Sequence, residues 1–129
     1  MSRPHFLTSA LEQSTSQLAL YVDGCETPIA ATVDLAIDSE SRRRGLLGRT
    51  EYPRDSAMII APCNAIHTFF MKMAIDVVFA DRDGRVLKIR RAVPPWRASA
   101  ALRAFAVVEF AAGSVDMLRL KLVDRLSVR

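Results

Sequence analysis

Cysteine is scarce in this chain of 129 residues, which contains two, Cys25 and Cys63. Two cysteines are too few for a disulfide framework, so nothing argues for an oxidising compartment. Long apolar runs are also missing: none approaches the roughly 20 residues that a helix needs to cross a bilayer. The first twenty residues lack the sustained apolar core of a signal peptide, because Glu12 and Gln13 interrupt it. We therefore expect a soluble, cytoplasmic protein with no membrane partner.

Lysine is nearly as scarce, with three residues against fifteen arginines, and the formal net charge is +4. A basic excess can indicate a nucleic-acid partner. Here the basic residues are dispersed, and Arg42–Arg44 form the single run of three. Successive helical residues turn by about 100°, so three in a row spread over about 200° and cannot share one face. We expect no nucleic-acid partner.

The remaining composition is that of an ordinary globular chain, with 50% hydrophobic and 25% charged residues. Residues 1–15, rich in Ser, Thr and Gln, are predicted to form a weakly structured arm, and residues 16–129 a single β-rich domain. Apolar or alternating segments between turn residues predict about eight short strands. These segments are 17–22, 29–37, 57–61, 65–71, 76–80, 85–92, 105–112 and 125–129.

One helix is predicted over about 38–48. Asp38 or Ser39 can cap its start, the arginines lie towards its end, and Gly48 suits the position after it. Asp81–Gly84 is predicted to be the turn of a β-hairpin. The pattern indicates a mainly β fold, a β-sandwich or distorted barrel with the helix packed at its edge.

Several segments, in this order and spacing, carry a family resemblance. They are RRRGLLGR (42–49), AMII (57–60), IHTFFMKMAIDVVFADRDGRV (66–86), PPWR (94–97), VVEFAAG (107–113) and LVDRL (122–126). Over about residues 30–129 the chain resembles the domain-of-unknown-function 192 family of uncharacterised small bacterial and archaeal proteins. The resemblance implies a mainly β, sandwich-like fold, and no enzymatic activity is established for the family. Ala57, Phe70 and Val123 depart from its pattern, since glycine is common at or near each of these positions.

His67 interrupts an apolar segment. If 65–71 is one strand, His67, Phe69 and Met71 share a face, and a pocket on that face would contain the imidazole. A neutral imidazole there could bind a ligand or act as a base. The alternative is a core histidine that is hydrogen-bonded to a backbone carbonyl.

Two carboxylates also fall within core segments. Asp76 either accepts backbone N–H groups at a turn or pairs with His67 or an arginine. Glu109 is flanked by apolar residues and needs a partner, for which Arg49 and Arg97 are the candidates. A structural salt bridge and a catalytic role both remain open for Glu109.

Signatures of metal and cofactor sites are missing. Cys63, His67, Asp76 and Glu109 do not form the two close ligand pairs typical of structural zinc, so no metal is expected. Cys63 with His67 lacks a nucleophile elbow and oxyanion glycines. There is no phosphate-binding glycine loop and no dinucleotide fingerprint, so no cofactor is expected.

The leading hypothesis is a non-catalytic binding module with a pocket for a small anionic ligand or an acidic peptide end. Arg49, His67, Trp96 and Arg97 would form this pocket, with Trp96 stacking on the ligand and Arg97 clamping its charge. One alternative is a small hydrolase or isomerase that uses His67 with Asp76 or Glu109 as an acid–base pair. A second is an interaction or assembly protein.

Overall fold

A computed structural model of the protein describes residues 3–13 and 17–129, and this part of the chain is mainly β. Nine strands and three short helices occur in it. In chain order they are α1 (Thr8–Glu12), β1 (Leu20–Val22), β2 (Thr32–Ala36), α2 (Ser39–Arg44), β3 (Ser56–Ile60), β4 (Ala65–His67), β5 (Ile75–Ala80), β6 (Val86–Val93), β7 (Ala98–Ala100), β8 (Ala106–Ala111), α3 (Ser114–Leu118) and β9 (Leu126–Val128).

The main sheet has five strands in the order β2-β3-β8-β5-β6. Its β2–β3 pair is parallel, and its other pairs are antiparallel. Two smaller sheets pair β1 with β9 and β4 with β7. Within residues 3–13 and 17–129 the sheets do not close into a barrel, so the sandwich-like form of the predicted mainly β fold is the one observed.

The three central strands of the main sheet are buried on both faces. Alternate residues of each strand enter two separate apolar layers. Ile59 and Val108 belong to one layer, and Ile60 and Val107 to the other. Because strand side chains alternate with a period of two, Glu109 points to the same face as Val107. A carboxyl group is therefore directed into the second apolar layer.

The predicted hairpin is confirmed. β5 and β6 pair in antiparallel fashion around the turn, and Asp81 accepts hydrogen bonds from the backbone N–H groups of Asp83 and Arg85, each at 2.9 Å. Gly84 has a φ of 85°, and a Cβ there would collide with the carbonyl oxygen of Leu126. Glycine is therefore required at this position.

The predicted arm, residues 1–15, is described at residues 3–13, and residues 1–2 and 14–15 lie outside the described part of the chain. Residues 8–12 form α1, and Leu7 is fully buried among the residues of the main core. Ala10, three positions later, is buried beside it. Burial of this apolar pair against the sheet stabilises a helix too short to form in isolation.

The helix predicted over 38–48 begins as expected but is shorter. The Asp38 carboxylate accepts the Ser41 N–H at 2.7 Å in a capping box. α2 ends at Arg44 because Gly45 adopts a φ of 47° and a ψ of −124°, which an L-residue does not readily adopt. Gly45, rather than Gly48, is the residue that reverses the chain.

The segment 65–71 is not one continuous strand. β4 ends at His67, and Phe70 has a φ of 66°. Buried Thr68 holds this turn to the 94–97 loop: its hydroxyl donates to the Pro94 carbonyl at 2.6 Å and accepts the Arg97 N–H at 2.9 Å. These two hydrogen bonds fix the loop beside the turn, and β7, which lies outside the segments predicted to be strands, pairs with β4.

Candidate ligand-binding site

A pocket of about 180 Å³ lies where the end of α2 meets β4, β8 and the loop after β3. By the volume of liquid water, it has room for roughly six water molecules or one small organic ion. Its lining residues are Arg42, Arg43, Arg44, Gly45, Leu46, Leu47, Ile60, Cys63, Ala65, Ile66, His67, Phe69, Met71 and Glu109. The pocket thus combines arginines, an apolar wall and a buried carboxyl group.

Three consecutive arginines border this pocket, although their spacing on a helix predicted that they could not act together. All three lie at the end of α2, directly before the reversal at Gly45, and this end of the helix forms one side of the pocket. Among the residues described, no ion pair or side-chain hydrogen bond engages the guanidinium groups of Arg42, Arg43 and Arg44. Sequence reasoning missed these residues, and the signal that could have found them is the run followed directly by a glycine.

Glu109 belongs to the pocket's innermost part and is only 4% exposed. Its Oε1 atom has no hydrogen-bond partner among residues 3–13 and 17–129. Burial raises the pKa of Glu109 to about 7, and the backbone N–H of Leu46 only partly opposes this effect. The carboxyl group therefore changes its protonation state near neutral pH.

The predicted salt bridge of Glu109 with Arg49 or Arg97 is wrong. The ion pairs found in the described part of the chain join Arg91 to Asp116 and Arg125 to Asp23. Strand alternation directs Glu109 into the second apolar layer, and neither predicted arginine forms an ion pair with it.

Gly45 allows α2 to approach Glu109 closely. A Cβ at position 45 would lie 3.2 Å from Glu109 Oε1 and 3.3 Å from Ile60 Cδ1. Both distances are tighter than ordinary van der Waals contact, so any larger residue would press on the carboxyl group. Gly45 thus leaves room for the Glu109 carboxyl group next to the end of α2.

His67 lies at the exposed side of the same pocket, together with Phe69 and Met71, the residues predicted to share its face. Its Nδ1 accepts the backbone N–H of Phe69 at 3.3 Å, and its ring stacks on the Phe69 ring at a centroid distance of 4.7 Å. A neutral imidazole that accepts at Nδ1 carries its proton on Nε2. His67 therefore offers a ligand a hydrogen-bond donor, and it is not a buried core histidine.

Cys63 contributes a thiol to the pocket. Its Sγ–H donates to the Ala65 carbonyl at 3.1 Å, and burial raises the pKa of the Cys63 thiol. The protonated thiol is a weak nucleophile. Cys63 therefore contributes a protonated, polarisable thiol to the wall of the pocket.

Asp76 is a structural residue. One oxygen accepts the Ala92 N–H at 2.8 Å and the other accepts the Val115 N–H at 2.9 Å. It is 1% exposed within β5, so it joins β6 to the start of α3. In the described ranges no hydrogen bond links the His67 ring to Asp76 or Glu109, and the predicted acid–base pair is not assembled.

The other three predicted ligand-binding residues lie outside the pocket. Arg49 stacks over the Tyr52 ring at 5.2 Å, and Arg97 donates to the Trp96 carbonyl at 3.3 Å. Trp96 lies against Phe69, with their ring centroids 5.8 Å apart. Of the four residues predicted to share one cleft, the structure places only His67 in this pocket.

An exposed aromatic patch flanks the pocket and consists of Phe69, Phe70 and Trp96. Phe70 is 70% exposed and Trp96 57% exposed, and their rings make an edge-on contact at 4.7 Å. Both residues have a positive φ, of 66° and 70°. This conformation is costly for large side chains, so the hydrogen bonds of Thr68 must offset its cost.

The described residues contain neither a metal-binding cluster nor a membrane-spanning helix. Over residues 3–13 and 17–129, no cluster of three or more His, Cys, Asp or Glu side chains is placed to hold a metal ion. In the same ranges no helix is long and apolar enough to span a bilayer.

Comparison with known proteins identifies the family. The model of the DUF192 family, described as an uncharacterised conserved group, matches residues 22–128. The chain belongs to the DUF192 family. No curated protein matches it.

Two solved structures are similar to this DUF192 protein. One is a protein of unknown function from Novosphingobium aromaticivorans DSM 12444, with 25% identity, 74% of each chain covered and a TM-score of 0.69. The other is a proposed transcription regulator from Sinorhizobium meliloti 1021, with 23% identity, 90% of this chain and 98% of that chain covered, and a TM-score of 0.75. At 23% identity the second similarity establishes the fold alone.

Proposed function

We propose that this DUF192 protein is a small-ligand-binding module whose pocket, bordered by α2 and β8, takes a ligand with an anionic group. The observation that carries the proposal is that one small cavity is lined by three arginines and by a buried carboxyl group whose Oε1 atom has no partner among the described residues. Arginine side chains recognise carboxylates and phosphates through several donors at once. His67 adds a further donor at the same opening.

The arrangement argues against a purely architectural role for these charges. A structural arginine–glutamate pair would neutralise Glu109, yet Glu109 Oε1 has no partner. An orphaned buried acceptor costs about 1–3 kcal/mol, and a ligand could compensate for that cost. The positive charge of Arg42–Arg44, which repels cations, attracts an anion and so favours its binding.

Binding is favoured over catalysis by the state of the reactive groups. Cys63 is a protonated thiol, His67 presents a donor, and both Asp76 oxygens are used by backbone N–H groups. A hydrolase or isomerase would need an imidazole hydrogen-bonded to a carboxylate beside the pocket. The residues that would form such a pair are engaged separately.

The proposal is tested by NMR titration of the ¹⁵N-labelled protein with propionate, inorganic phosphate and sulfate. We expect saturable shifts of the amides of Gly45, Leu46 and Ile66 with at least one of these anions. The triple variant R42Q/R43Q/R44Q should bind the same anion about tenfold or more weakly, since charge-assisted hydrogen bonds contribute about 1.5–3 kcal/mol each.

The matched control is R85Q/R103Q/R119Q, which removes the same charge from three exposed arginines outside the pocket. It should bind within about twofold of the unmodified protein, because surface charges at a distance are largely screened by salt. Equal weakening in both triple variants would show a net-charge effect and would contradict the proposal. Shifts that never saturate would contradict it as well.

The exposed aromatic patch favours the second candidate, an interaction or assembly protein. Sedimentation velocity of the unmodified protein and of F70S/W96S measures its self-association. A concentration-dependent dimer that the double variant abolishes would support this candidate, and monomers in both would count against self-assembly.

A further inference from the structure

We infer that the ligand carries a hydroxyl group that reaches Glu109, so that the pocket selects small hydroxylated anions over plain ones. This inference rests on the proposed function, because the anionic group is assigned to Arg42–Arg44. The hydroxyl group is the second feature of the ligand that the pocket recognises, and Glu109 recognises it at the other end of the same cavity.

The Glu109 carboxyl group is positioned to form a hydrogen bond with a ligand that enters the pocket. Its backbone lies in a central strand between β3 and β5, and its carboxyl group is covered on one side by Gly45 at close range. Oε1 is buried and unpartnered, yet the residue lines the cavity. A polar ligand atom that enters the cavity would meet this carboxyl group and provide its missing hydrogen bond.

The surrounding charges select the kind of polar atom. The titratable or charged groups around Glu109 are those of Arg42, Arg43 and Arg44 from α2, Cys63 from the loop after β3, His67 from β4, and Tyr52. Three cations stand at this cavity, so an ammonium group on the ligand would be repelled on its way in. A neutral donor is not repelled.

A hydroxyl group also suits both protonation states of Glu109. It can donate to the ionised carboxylate and can accept from the protonated carboxyl group. A second carboxylate on the ligand could only accept, and would be repelled by ionised Glu109. The hydroxyl is therefore the group that pairs with Glu109 on either side of neutral pH.

The walls between the two ends are apolar. Leu46, Ile60 and Met71 line the cavity together with Ile66 and Phe69. A volume of about 180 Å³ limits the skeleton that joins the two polar ends to a short one. Short hydroxy acids and phosphorylated short polyols have this combination of groups.

The test compares matched pairs of ligands by NMR titration at pH 7. Lactate differs from propionate by one hydroxyl, glycerol 1-phosphate differs from propyl phosphate by two, and alanine replaces the hydroxyl of lactate with an ammonium group. We expect the hydroxylated member of at least one pair to bind about tenfold tighter, because a site that lacks the partner hydroxyl leaves Glu109 unpaired. Alanine should bind no tighter than propionate.

Two variants at one position separate hydrogen bonding from folding. E109L removes the hydrogen-bonding group and fills the space with an apolar side chain, and it should reduce the preference for the hydroxylated ligand to less than about threefold. E109Q retains both a donor and an acceptor and should keep the preference. Their amide spectra show directly whether each variant is folded.

The outcomes distinguish this inference from the function on which it rests. If plain and hydroxylated anions bind equally and R42Q/R43Q/R44Q weakens both, the anion site stands and the hydroxyl inference is wrong. Tighter binding of alanine than of lactate would also overturn the inference. Saturable binding by none of these ligands would overturn the proposed function itself.

Discussion

From the raised pKa of Glu109 we predict an unusual pH dependence of the stability of this protein. The folded state holds the Glu109 proton more tightly than the unfolded chain does, because burial raises the pKa from 4.5 to about 7. A group with a raised folded-state pKa contributes stability that is fully present below its unfolded pKa. That contribution is lost as the pH rises through the folded pKa. Between about pH 4.5 and pH 7, Glu109 therefore makes the protein less stable with each increase in pH.

The size of the effect follows from the two pKa values. At about 1.4 kcal/mol per pH unit, the interval between 4.5 and about 7 corresponds to about 3 kcal/mol of unfolding free energy. Such a change is a large fraction of the total stability of a small domain. It would shift the urea midpoint by about 1–3 M.

The assay is urea unfolding of the unmodified protein and of E109Q at pH 5, 6, 7 and 8. The amide side chain introduced by E109Q cannot titrate, so the stability of the unmodified protein relative to E109Q should fall by about 2–3 kcal/mol from pH 5 to pH 8. Other titrations occur in both proteins and cancel, including that of His5, whose pKa is lowered by burial and by Arg82. A difference between the two proteins that stays constant from pH 5 to pH 8 would refute the reasoning.

Three further substitutions test the structural roles assigned above, each by urea unfolding at fixed pH. D76A should lower stability by about 3 kcal/mol and D76N by roughly half as much, because the buried carboxylate accepts two backbone N–H groups; equal effects would contradict this role. T68V should cost about 1–3 kcal/mol through the loss of the hydroxyl's hydrogen bonds, and a neutral result would refute the loop connection. F70G should be about 1 kcal/mol more stable than F70A, because the positive φ at position 70 favours glycine; the reverse order would contradict that conformation.

The features that sequence reasoning predicted well depend on local chemistry. The 81–84 hairpin follows from an Asp and a Gly at the required turn positions, and the start of α2 follows from the Asp38 cap. The buried central strands follow from short apolar runs bounded by turn residues. Each of these signals lies within a few residues of the structure that it specifies.

The features that sequence reasoning missed depend on contacts between distant segments. Leu7 is buried because residues far along the chain provide the surface on which α1 packs. β4 stops at His67 because Thr68 is held by the 94–97 loop, which spacing alone cannot reveal. The alternation of side chains with a period of two was correct for the buried strands. It was wrong for the segment 65–71, where hydrogen bonds between Thr68 and the 94–97 loop end the strand.

The candidate site shows the same division. His67 was identified from its place in an apolar segment, and Glu109 from its flanking residues. The expectation that Glu109 has an arginine partner rested on a sound rule, that buried charges are paired. Here the arginines border the cavity, and among the described residues Oε1 has no partner. That departure from the rule is what indicates a ligand.

A crystal structure of the protein grown with lactate tests the central claim most directly. We expect density for the ligand inside the pocket, with its carboxylate within hydrogen-bond distance of a guanidinium of Arg42–Arg44 and its hydroxyl against the Glu109 carboxyl group. A pocket that contains only water, with Glu109 neutralised by a direct contact to one of those arginines, would contradict it. The charges of Arg42–Arg44 and Glu109 would then have a structural role.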